Sequence, residues 1–100
     1  MSERILITPD ELNEGAAYIR QRLDTLVTEI AAIKSKVDDI TARWEGAAQQ
    51  AFLSTFDTEM YPILNEKMPP VVEGMASELD LAANSMRDLD DNLATSFSGS

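Results

Sequence analysis

The sequence predicts an all-α fold: two long helices in an antiparallel hairpin, which pairs with a second hairpin into a four-helix bundle. Three observations carry this. Apolar residues repeat at alternating steps of four and three from residue 12 to residue 44. The sole glycine between residues 16 and 73 sits near the middle of the chain, where a turn is needed. Beyond it a second helical pattern runs almost to the end.

Thr8-Pro9-Asp10-Glu11 reads as a helix start. Thr8 serves as the cap, Pro9 occupies a position whose N–H has no helical partner, and Glu11 stands three residues past the cap. Asp10, Glu11 and Glu14 place negative charge at the positive end of the helix dipole. The seam that follows is Leu12, Ala16, Ile19, Leu23, Leu26, Ile30, Ile33, Val37 and Ile40, with Trp44 continuing the series. That is a heptad pattern, expected to form one helix from about 9 to 43. Arg20–Asp24, Lys34–Asp38 and Asp39–Arg43 are spaced as i,i+4 ion pairs on the outer face. Gly15 is a weak point inside this helix, costing about 1 kcal/mol relative to Ala.

Residues 44–46 form the turn, and the second helix is expected over about 47–94. Ala48, Phe52, Phe56 and Met60 recur every four residues, followed by Ile63 or Leu64. The stripe resumes with Met68, Val71 or Val72, Met75, Leu79, Ala82, Met86, Leu89, Leu93 and Phe97. Pro62 and Pro69-Pro70 remove backbone donors, so a kink or break is expected near 62 and near 69–70. Met60, Met68, Met75 and Met86 read as core filler, and residues 94–100 as a fraying end. Residues 1–100 make one domain.

Composition excludes several function classes. The 100 residues contain no Cys and no His, which removes most nucleophile–base pairs and nearly all zinc, haem and iron–sulfur sites. No cofactor and no metal is expected. Asp88, Asp90 and Asp91 lack the glycine and distal Glu of a calcium loop. Glu45 has no second carboxylate at a defined spacing, and a convex hairpin offers no cleft, so an enzyme is not expected. The net charge of −10 opposes nucleic acid and anionic lipid. No apolar run of 18 or more residues exists, so no membrane-spanning helix is expected. Met1–Pro9 carries Glu3 and no long apolar region, unlike a secretory leader. Residues 1–43 hold 6 basic and 8 acidic side chains, while residues 44–100 hold 2 and 10. The acidity therefore belongs to the second helix.

One hairpin leaves much of this seam in water, over a length of roughly 50 Å. Soluble monomers rarely tolerate so large an apolar patch. Self-association, or pairing with a similar chain, is the expected remedy.

A hundred-residue, Cys-free pair of long helices joined by Trp44-Glu45-Gly46 resembles the WXG family of type VII (ESX-type) secretion substrates, over the whole chain. The resemblance implies a secreted, non-enzymatic helical hairpin without a cleaved leader. It implies an antiparallel dimer, either of identical chains or with a related partner, the homodimer being favoured here. It implies recognition by an FtsK-type ATPase of the secretion machine, and a role as effector or as escort for other secreted proteins. Trp44, Glu45 and Gly46 match the family's turn. The family's export signal, Tyr-x-x-x-Asp/Glu, falls on Met86 to Asp90: Asp90 matches the acid, and Met86 stands in place of the Tyr. Family members without that Tyr form homodimers or leave with a partner that carries it. Trp44 reads both as a plug for the hairpin's end and as a docking ring, and Gly46 as a residue that permits a close crossing of the helices. The competing class is a cytoplasmic coiled-coil adaptor in which Trp-x-Gly is a coincidence.

Overall fold

The computed structural model describes residues 6–98, with side chains from 6 to 90. It is all-helical among the described residues. The first helix, α1, spans Pro9–Ala42, and the second limb begins with α2, Ala47–Thr55. That limb continues through two π-helical turns, Phe56–Met60 and Ile63–Lys67, into α3, Met68–Ser98. The limbs lie side by side in a rod 79 × 22 × 22 Å.

The start of α1 is a reciprocal cap. The Glu11 backbone N–H donates to Thr8 Oγ1 at 3.1 Å, and the Thr8 backbone N–H donates to Glu11 Oε1 at 3.1 Å. Two donors that a helix start leaves orphaned are thereby satisfied.

At both prolines the helix stays unbroken and changes its hydrogen bonding. Tyr61 and Met68 donate their backbone N–H groups to Phe56 and Ile63, five residues back. Each donor immediately precedes a proline, Pro62 or Pro69. A proline ring collides with the carbonyl four residues before it. A π turn inserts one residue and carries that carbonyl away, so the helix changes its hydrogen-bond step and continues. It also continues through Pro69-Pro70, at the first positions of α3, and on to Ser98 in the stretch expected to fray; residues 99–100 lie outside the described residues.

The core is thin. Ala16, Ala76 and Ala83 are fully buried, and Ile30 and Phe56 nearly so. The three alanines let α1 and α3 approach closely near the open end of the hairpin. The inner seam row of Ala16, Leu23, Ile30 and Val37 turns toward the second limb, Leu23 and Val37 half-buried. Where the sequence left two candidates, Leu64 and Val72 turn inward while Ile63 and Val71 face solvent.

Candidate functional site

The helices are locked in register by a polar clamp. Arg20 Nε donates to Glu73 Oε1 at 3.1 Å and Oε2 at 3.3 Å, and Arg20 Nη1 donates to Asp80 Oδ2 at 2.7 Å. Asn13 Nδ2 donates to Asp80 Oδ1 at 2.7 Å, and Arg87 Nη2 to Asp10 Oδ1 at 2.8 Å. The i,i+4 pair expected between Arg20 and Asp24 is replaced by these bonds, since two carboxylates across the hairpin offer more than one along it. The hydrogen bond from Arg20, then that from Asn13, holds the Asp80 carboxyl below its usual range, and Asp80 and Glu73 raise the guanidinium. Lys34–Asp38 and Arg43–Asp39 do form along α1, at 2.6 and 2.8 Å.

The clamp identifies the two flanks of the hairpin. At about 100° per residue, Asn13 and Arg20 lie on one side of α1's buried row, and Ile19, Leu26, Ile33 and Ile40 lie on the other. On α3, Glu73, Asp80 and Arg87 lie on one side of Ala76 and Ala83, with Val71, Met75, Ala82 and Leu89 on the other. Clamp residues of both helices meet, so the two apolar stripes share the opposite flank. There Ile33, Ile40, Val71, Met75 and Leu89 are exposed, while Ile19 and Leu26 are half-buried. Across each π turn the stripe advances by eight residues, Phe52 to Met60 and Ile63 to Val71, which matches two turns plus one inserted residue. All four of these side chains are exposed. Within one chain Met60 and Met75, both read as core filler, face solvent on the uncovered flank, and Met68 and Met86 are half-buried.

The turn end is aromatic. Trp44, Phe52, Phe56 and Tyr61 form a ladder with ring centroids 6.0, 6.0 and 5.7 Å apart, and Lys34 Nζ lies 5.7 Å from the Tyr61 ring centroid. Such pairs add stabilisation beyond their buried area. Trp44 stands past the end of α1, not on its helical seam. Its backbone N–H donates to Thr41 O at 3.3 Å, and Gln49 Nε2 donates to the same carbonyl at 3.1 Å. Buried Thr41 returns its hydroxyl to Val37 O at 2.8 Å. Neither Thr41 nor Gln49 was singled out on the sequence, because their partners are backbone carbonyls that no side-chain pattern announces.

Gly46 has φ +121° and ψ −179°, and a Cβ added there would meet nothing within 4 Å. The expected reason for this glycine, a close crossing of helices, is thus incorrect. The requirement is backbone: this region of φ,ψ is essentially closed to residues with a Cβ. Glu45 is exposed beside it. Half-buried Met86 and exposed Asp90 lie at the other end, near the start of α1, as the neighbouring Arg87–Asp10 pair fixes. One hairpin therefore does not bring Trp44-Glu45-Gly46 together with Met86 and Asp90. Among the described residues no cluster of acids is arranged to hold a metal, and no helix is long and apolar enough to cross a membrane.

Comparison with known proteins adds three findings. The family model WXG100, "Proteins of 100 residues with WXG", matches residues 4–91. Protein YukE of Bacillus subtilis (strain 168) is 24% identical over 99 residues, spanning 99% of this chain and 100% of its own. The crystal structure of Geobacillus thermodenitrificans EsxA, crystal form I, is similar with a TM-score of 0.70 and 26% identity, covering 94% of this chain and 99% of that one.

Proposed function

The chain belongs to the WXG100 family, and from that premise we propose that it is a non-enzymatic protein secreted through a type VII (ESX-type) system as an antiparallel homodimer. The observation that carries this reading is the family match over residues 4–91, on a hairpin whose bend is Trp44-Glu45-Gly46. The uncovered apolar flank supports the pairing, because a second copy supplies the apolar cover that one hairpin lacks.

In such a pair the turn of one chain lies beside the open end of its partner. Trp44 and Gly46 of one subunit and Met86 and Asp90 of the other then make one composite surface, presented to the secretion ATPase. With Met86 in place of a tyrosine, Leu89 and Met86 supply apolar contact and Asp90 the charge. The dimer travels as an effector or escorts another exported protein.

The test is expression in a host with a working type VII system, comparing the full chain with one lacking residues 86–100. Full-length protein in the medium and truncated protein in the cells is the expected result. Retention of both, with the secretion system active on its own substrates, overturns export and favours a cytoplasmic adaptor. Light scattering should give twice 11.0 kDa.

A further inference from the structure

Apolar side chains are exposed at both ends of the rod, and they are of different kinds. At the turn, Trp44 and Phe52 are 37% and 38% exposed, although their rings form a tilted pair with centroids 6.0 Å apart. At the open end, the segment leading into α1 places Leu6 and Ile7 in solvent, 79% and 44% exposed. Ile7 and Leu12 stand at the N′ and N4 positions of a hydrophobic staple, yet Ile7 stays largely exposed and Leu6 more so.

Charge and register say what meets them. Residues 6–14 and 78–98 of the open end hold 8 acids and 1 base, whereas residues 34–61 of the turn end hold 5 acids and 3 bases. Two copies side by side in the same direction would bring the most acidic ends together, and opposite directions place each beside a less acidic turn. If two copies of α1 overlap along their whole length, Pro9 of one stands across from Ala42 of the other. Two residues further at each end, Ile7 faces Trp44. The same register sets Tyr18, exposed on α1, across from exposed Ile33.

We infer that Leu6-Ile7 of each chain docks on the Trp44–Phe52 aromatic face of a second copy, closing both ends of the pair. This rests on the dimer proposed above and names the residues that finish its ends. It also puts the partner's Leu6 and Ile7 at the same end of the rod as the partner's Met86, because the Asp10–Arg87 pair ties the start of α1 to that stretch of α3. The N-terminal segment thereby becomes part of the composite surface.

The absence of cysteine gives a clean test, since every disulfide between chains must join introduced residues. Ile7→Cys and Phe52→Cys are made separately, both at exposed positions. Each alone, and the two refolded together, are then treated with glutathione disulfide. The mixture should give cross-linked dimers holding one of each variant, and neither variant alone should cross-link. Cross-linking of Ile7→Cys with itself indicates chains running the same way and overturns the inference. So does an uncross-linked mixture that light scattering finds dimeric. A monomeric wild-type preparation overturns the dimer reading itself, a distinguishable result. Fluorescence gives a second readout from the single tryptophan. Leu6→Asp with Ile7→Asp should shift Trp44 emission to the red in a preparation that remains helical; unchanged emission in a dimeric double variant counts against docking.

Discussion

The two ends of the hairpin are built by different means. Toward the open end, fully buried alanines bring α1 and α3 close, and polar bonds among Asn13, Arg20, Glu73 and Asp80 fix their register. Toward the turn, the second limb carries two π turns, and the filling is a stacked row of rings. Small residues with directional bonds specify one alignment. Rings of similar size tolerate sliding, and Trp44 and Phe52 keep faces in solvent. A single chain thus holds its alignment at one end and displays an aromatic face at the other.

Substitutions at four positions break or sharpen that contrast, and chemical denaturation followed by circular dichroism reads those at the first three. Phe56→Ala removes the buried ring between Phe52 and Tyr61 and should cost about 3–5 kcal/mol. A loss near zero would mean that the ladder is ornament to the fold. Gly46→Ala forces a side chain into a backbone region open mainly to glycine and should cost about 1–3 kcal/mol. Since space is open around that position, Gly46→Ser should cost nearly the same; a far larger loss from the bulkier residue would restore the steric reading. At the clamped end, Gly15→Ala should stabilise by up to about 1 kcal/mol, because the added methyl meets Leu79 Cδ1 at an ordinary 3.7 Å. A destabilised variant would show that Leu79 has no room for the methyl.

The smallest effect concerns pH. The folded-state pKa of Asp80 lies below its unfolded value, so its stabilising contribution is present above the ordinary carboxylate range and is lost as pH falls through the folded value. Asp80→Asn should flatten the acid side of the stability profile below about pH 4, by lowering neutral stability slightly toward the value both proteins share in acid; the loss is small because the pair is accessible to water. An acid limb of the same slope in the variant would remove Asp80 from the account.

Much of the fold is legible from local chemistry. The cap at Thr8 and Glu11 is written in four adjacent residues, and the heptad seam reports a long helix because its period holds over nine positions. What could not be read depends on distant partners or on backbone geometry. Arg20 has a plausible neighbour in Asp24, and only the hairpin's alignment reveals two better ones. The four-residue steps from Ala48 to Met60 suggest a drifting stripe when counted on an α-helix. Counted with an extra residue in each π turn, Phe52, Met60, Ile63 and Val71 fall into line. At the candidate site, Trp44 and Gly46 were visible as a motif. The reason for Gly46 was not, because a motif gives spacing and no dihedral angle.

The slender shape has a consequence for the laboratory. A radius of gyration of 22.3 Å belongs to this chain, whereas the scaling for compact domains gives that radius to a globule of roughly 440 residues. On a sizing column calibrated with globular standards, one solitary molecule therefore elutes ahead of its true mass. Elution volume alone can suggest a pair before any two molecules have met, and a method that weighs particles without reference to their outline counts the subunits.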